Sequence, residues 1–219
     1  MTTQTIMKAR LASELRRSNI TAAIASAITT AIEAHQSDRF YFNETRAFTF
    51  TTVANQGTYI STDSGWSNLA NIIKFDYVKL YVSDQPYTLD PIPAEEIERL
   101  SANDTATGEP LGYCWFAESM RFYPIPNAAR TVRVGAVAKV AAPATDGEAS
   151  NKWMTDAELL IRCRAKFELY THVLANPEAA AYFDPDRDGS PTNEAFRRLK
   201  RKTAQKVQQG GWATTPTTF

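Results

Sequence analysis

The sequence predicts an α+β fold: a helical bundle with an inserted, mostly antiparallel β-domain and an extended C-terminal arm. Three observations predict it. Apolar residues recur at helical spacing over residues 1–38 and again over 152–209. Between them, over 39–143, the apolar period falls to two. The element types are segregated along the chain and do not alternate, which argues for α+β over parallel α/β. No internal repeat is visible.

The helical pattern begins at Thr5–Arg17, with Met7, Leu11 and Leu15 on one face. Ser18-Asn19 interrupts it. Ile20, Ile24, Ile28 and Ile32, filled in by Ala27 and Ala31, make a second helix ending near His35. Two helices with a short break suggest an antiparallel hairpin.

From Arg39 the residues Phe40, Phe42, Phe48, Phe50 and Val53 alternate with polar neighbours, and Thr58–Ile60 follows a Gln56-Gly57 turn. In the next strand Phe75, Tyr77, Lys79 and Tyr81 share one face, and Val78, Leu80 and Val82 the other. Ser83–Pro86 reads as a turn, and Tyr87–Leu89 as a strand. Pro91-Ile92-Pro93 opens a short helix, Ala94–Leu100, whose Glu95 and Glu96 suit a helix N-terminus. Ser101–Pro110 reads as an exposed loop, before strands at Gly112–Phe116, Met120–Ile125 and Thr131–Val140. Residues 144–151 are a connector.

The chain returns to helix at Thr155–Ala175, the stretch the rest is organised around. Thr155 with Glu158 forms a capping-box pattern. Leu159, Leu160, Cys163, Phe167, Tyr170 and Leu174 fall in one narrow sector and are expected to face the core. Ile161, Ala165 and Leu169 make a second apolar strip and are expected at a subunit interface, since two strips need two partners. Asn176–Thr192 reads as a loop, Ser190-Pro191 as a helix cap with proline at the first helical position, and Asn193–Gln208 as the last helix. Phe196, Leu199, Thr203 and Val207 line one side of it, and Gly210-Gly211 ends it. Residues 210–219 form the expected arm, with β-formers, Pro216 and no charge.

Composition excludes several function classes. Twenty-four basic and twenty-four acidic residues cancel, so no global field points to nucleic acid or anionic membrane. No run approaches the eighteen or so apolar residues of a membrane span, and the start lacks the apolar core of a secretory signal. Cys114 and Cys163 read as buried free thiols, which suits a reducing cytoplasm. Walker, G-x-G-x-x-G, H-E-x-x-H and paired C-x-x-C motifs are all missing from the sequence. His35 and His172 lie on different helices, which leaves little for a nucleophile–base pair. Neither an enzyme nor a cofactor is expected. Asp184, Asp186, Asp188 and Gly189 match the opening of a calcium loop. The closing position holds Ala195 in place of glutamate, so this metal candidate is weak beside a helix-capping acidic loop. The last helix carries Arg197, Arg198, Lys200, Arg201, Lys202 and Lys206, either a solvated basic face or a contact for an acidic surface or passing DNA.

The helix hairpin, MRFYPIPNA at Met120–Ala128 and the β-run TVRVGAVAKVAAP come first. ELLIRCRAKFELYTHVLANPEAAAYF at Glu158–Phe183, EAFRRLKRK at Glu194–Lys202 and the free tail complete the set. Together they resemble the head-to-tail adaptor (connector) proteins of tailed bacteriophages. That resemblance implies a structural virion protein of the neck, commonly a dodecameric ring, assembled in the host cytoplasm. It implies a portal protein on one side, a tail or nozzle protein on the other, and packaged DNA passing through the lumen. On this reading Trp212, Pro216 and Phe219 of the arm, with Arg197 and Arg201 of the last helix, are expected to bind portal. A different tail-completion or neck protein, or a calcium-dependent binding module, stand as alternatives.

Overall fold

The computed structural model describes residues 3–103 and 106–208. In chain order these form α1 (Gln4–Leu15), α2 (Thr21–Ala34), β1 (Glu44–Thr51), β2 (Thr58–Ile60), β3 (Ile72–Val82) and β4 (Gln85–Pro91). Then come α3 (Ala94–Asn103), β5 (Thr107–Gly108), β6 (Gly112–Phe116), β7 (Ser119–Tyr123), β8 (Ile125–Pro126) and β9 (Thr131–Ala138). Four helices close the order: α4 (Lys152–Thr155), α5 (Glu158–His172), α6 (Pro177–Phe183) and α7 (Pro191–Gln208). The α+β class expected from the sequence is the class observed. The expected C-terminal arm lies outside the described residues. Glu44–Lys139 make one compact unit, and the described residues before and after it make the other.

In the helical unit α5 is central, packed by α1, α2, α4, α6 and α7. Its partners are fixed by their sequences. On α2 the spacing of Ile24, Ala27, Ile28, Ala31 and Ile32 buries one continuous stripe. Thr3 caps α1 by accepting from the Ile6 N–H at 3.3 Å, and Arg16 closes it in the left-handed region at φ 53°. Trp153 on α4 is wholly buried, donates Nε1–H to the Val140 carbonyl at 2.8 Å, and meets Phe40 and Phe42 edge to face. Phe40 and Phe42 were expected on a strand. They instead occupy the turn before β1, because the indole supplies an aromatic surface that a strand edge would not.

Three further expectations for this unit are corrected. The Thr155–Glu158 capping box does not form: Thr155 ends α4 and its hydroxyl donates to the Asn151 carbonyl at 3.2 Å. Asn151 is the cap, accepting from the Trp153 N–H at 3.1 Å, while Glu158 turns to Arg10 of α1 at 2.7 Å. The segment 176–192 is not all loop, for α6 lies inside it. Asn176 caps that helix by accepting from the Ala179 N–H at 3.0 Å, with Pro177 in its first turn. The third correction concerns the interface strip and follows with the site.

The β-unit is a seven-stranded sheet in the order β1-β9-β3-β4-β6-β7-β2, antiparallel except for β4–β6, with β5 and β8 as a separate parallel pair. Trp66 is its keystone. The ring stacks on Phe50 of β1 at 4.5 Å and Tyr59 of β2 at 4.2 Å, and its Nε1–H reaches the Thr51 carbonyl at 3.0 Å. β1 and β2 are the two edge strands, so contact with one indole means the sheet curls until its edges approach. Inside the curl lie Val78, Leu80, Leu89, Val132, Val134 and Met120. The β3–β4 hairpin turns on Ser83 and Asp84 alone, both at positive φ (48° and 63°), the geometry of a type I′ turn. The expected loop 101–110 is shorter than supposed, with α3 running to Asn103 and β5 beginning at Thr107.

Candidate functional site

Ile161, Ala165 and Leu169, expected at a subunit interface, are each fully buried within the single chain. They pack in the same cluster as Met7, Leu11, Ile28 and Trp153. The strip therefore has no surface to offer a neighbour. Of the strip expected to face the core, Leu160 and Cys163 are buried, but Leu159 is 39 % exposed. A helix surrounded by five others buries the second strip completely and the first only in part, and periodicity alone does not reveal how many partners surround it.

Asp184, Asp186 and Asp188 are not drawn together. Asp184 Oδ1 accepts from the Asp186 N–H at 3.0 Å, and Asp188 pairs with Arg197 of α7 at 2.8 Å. Among the described residues no group of three or more His, Cys, Asp or Glu could hold a metal ion. The acidic loop instead feeds α7, where Ser190 Oγ accepts from the Asn193 N–H at 3.1 Å, as the Ser190-Pro191 pattern predicted.

The basic run of α7 divides into two groups. Lys200 lies over the rings of Phe40 (4.9 Å) and Phe196 (5.0 Å) and pairs with Asp38 at 3.3 Å. Lys202 and Lys206 lie over Tyr41 at 5.2 and 3.8 Å, and Lys202 also reaches Asp156 at 3.8 Å. These three lysines hold α7 to its own unit. Arg198 and Arg201 are exposed and make no ion pair among the described residues. Of the two α7 candidates, Arg197 is thus engaged with Asp188 and Glu194, and Arg201 is open. Trp212, Pro216 and Phe219 lie outside the described residues.

His35 caps α2, with Nδ1 2.9 Å from Asp38 and its ring stacked on Phe196 at 5.6 Å. Burial opposes the charge on Asp38, but the His35 hydrogen bond and the Lys200 charge outweigh it and hold the carboxyl below its usual value. Both cysteines are free and buried, and burial pushes both thiols up, away from the reactive thiolate. His172 is exposed and stands 3.5 Å from Glu168. No helix among the described residues is long and apolar enough to cross a membrane.

What the fold offers is surface. The helical unit presents the open arginines of α7 and an apolar groove of about 510 Å³ between α5 and α6, lined by Phe167, Tyr170, Pro177 and Ala181. Tyr182 of α6 stands 58 % exposed. The α6 part of this surface escaped the sequence reading, although Asn176-Pro177-Glu178 spells a helix start. Among curated proteins none matches this chain. The family model described as SU10 adaptor protein matches residues 1–217, nearly its whole length. The chain therefore belongs to the SU10 adaptor protein family, in keeping with its resemblance to the head-to-tail adaptors of tailed bacteriophages.

Proposed function

We propose that the protein is a subunit of a ring, commonly a dodecamer in such adaptors, that docks beneath the portal. The ring extends the DNA channel and gives the tail its platform. The family match from one end of the chain to the other carries this reading. Packaged DNA passes through the lumen without being cut, and the subunit's work is mechanical. Portal is met by the uncharged arm, residues 210–219, through Trp212, Pro216 and Phe219, with Arg197 and Arg201 of α7 beside it. Strand addition or groove docking would supply backbone hydrogen bonds, and the two aromatics would act as anchors. With Ile161, Ala165 and Leu169 inside the core, lateral contacts fall to side chains that stay exposed, among them Tyr182, Val173 and Leu159.

Cryo-electron microscopy of the chain mixed with isolated portal rings tests this directly. A coaxial ring of density below the portal is expected, and density elsewhere, or none, refutes it. Truncation before Gly211 is expected to reduce portal affinity by orders of magnitude while leaving the melting temperature unchanged. Equal affinity of the truncated chain would reduce the arm to an ordinary terminus.

A further inference from the structure

Lys79 of β3 and Arg133 of β9 stand directly opposite one another on the outer face of the β-unit, away from its core. Like charges so placed in an antiparallel pair repel. Neither makes an ion pair among the described residues. The chain separates them with aromatic rings. Lys79 Nζ lies over Tyr77 at 5.4 Å and the Arg133 guanidinium over Tyr81 at 5.2 Å, so the two heads lean in opposite directions along β3. Tyr77 itself lies flat on the sheet against Gly135, where a Cβ would come within 2.3 Å of the ring. The cation pair is thus held in a fixed arrangement.

The unit that carries this pair is acidic. Glu44–Lys139 contain eight Lys and Arg against eleven Asp and Glu, a net charge of −3. Arg99, Arg121 and Arg130 are taken by Glu96, Glu98 and Glu109. The carboxylates of Asp84, Asp90, Glu95 and Glu118 are exposed and make no ion pair among the described residues. Unpaired cations and unpaired carboxylates therefore coexist in one unit without meeting. In a ring each contact joins unlike faces of successive subunits, so the charges left unmatched within one copy are complementary between two.

We infer that the outer face of β3 and β9, centred on Lys79 and Arg133, receives the exposed carboxylates of a second copy's β-unit. This rests on the ring reading. Nucleic acid is a poorer occupant, because a net −3 unit repels a polyanion beyond the first contact.

The test is the double reversal K79E/R133E in the full chain, with self-association measured by sedimentation velocity, both free and mixed with isolated portal rings. Sodium chloride is varied from about 0.01 to 1 M, which shortens the Debye length from roughly 30 to 3 Å. Wild-type association is expected to weaken as salt rises. The variant is expected to associate at least about tenfold more weakly at low salt and to lose that salt dependence. Its melting temperature should fall by no more than about 2–4 °C as the two ring contacts are lost, and K79Q/R133Q should associate with a strength between the two. If wild type assembles and the variant matches it, the contact is refuted and the ring stands. A wild type that stays monomeric in both settings refutes the ring and this contact together. A variant that assembles normally but loses duplex DNA in a fluorescence-anisotropy titration would hand the face to nucleic acid.

Discussion

Replacing Leu169 by alanine separates the two positions that this side chain could hold. As part of an interface it would be solvent-facing in the monomer, and its truncation would change chain stability by no more than about 0.5 kcal/mol. As a core residue it loses three carbons from a fully buried site. Transfer alone, at roughly 0.8 kcal/mol per carbon, comes to about 2.4 kcal/mol. The cavity adds to this, because Leu169 lies in the packed core where α2 and α5 meet, and packed helices cannot close fully around a lost side chain. The expected loss is therefore about 3–5 kcal/mol, within the range of measured Leu→Ala changes in packed cores. Urea denaturation followed by circular dichroism at 222 nm reads it as a lower midpoint for the unfolding of the helical unit. The helical unit should unfold first, so the transition is expected to divide in two as the β-unit outlasts it. A variant with an unmoved midpoint that had lost its oligomer would refute the burial argument and restore the strip to an interface.

Other changes address the second core, the acid limb and the basic helix. Trp66→Ala removes the indole shared by Phe50 and Tyr59 and is expected to cost about 3–5 kcal/mol. Hydrogen exchange should show the lost protection confined to residues 44–139. Asp38 has a depressed folded-state value, so its contribution is complete above the unfolded carboxylate value near 3.9 and fades as pH falls through the folded one. Asp38→Asn is thus expected to lower the melting temperature at pH 7, with the difference from wild type vanishing in acid. Lys200→Ala should destabilise by about 1 kcal/mol through its two ring contacts and partly exposed ion pair. Arg201→Ala should leave the denaturation midpoint unchanged and show its effect in portal binding alone.

How much of this was legible in the sequence varies with the kind of signal. The stripe of α2 was legible because Ile24, Ile28 and Ile32 repeat every four residues among alanines and small polar residues. The Ser190-Pro191 cap was legible because its chemistry is local. Tertiary placement was not. Phe40 and Phe42 alternate like strand residues, but they belong to Trp153, which lies more than a hundred positions along the chain. The Thr155–Glu158 pair matches a capping box letter for letter, yet Asn151 begins a helical turn four residues earlier and takes the role. On the basic helix, charge count alone did not separate Lys200, Lys202 and Lys206, which lie over aromatic rings, from Arg198 and Arg201, which face solvent. That division depends on where residues 40 and 41 fold back, and nothing local encodes it.

The complete burial of the Ile161, Ala165 and Leu169 strip bears on how such a ring could form. With Ile161, Ala165 and Leu169 spent inside the chain, the exposed large apolar side chains among the described residues are dispersed along it: Ile6, Leu159, Val173 and Tyr182 in one unit, Val53, Ile60, Tyr87, Leu111 and Phe116 in the other. Scattered apolar residues of this sort make weak lateral contacts in isolation. The neutral total charge conceals an opposed distribution, with sixteen basic against thirteen acidic residues in the helical part and the reverse imbalance in the β-unit. Charge of that kind orients neighbours and raises the encounter rate more than it adds affinity. In the proposed ring, a subunit so constructed would remain separate at low concentration and close only when a symmetric partner holds many copies side by side. Each lateral contact then becomes effectively intramolecular, and the weak contacts act together. The template would then supply the order, and the subunit's two folded cores the rigidity that lets each small surface meet its mate.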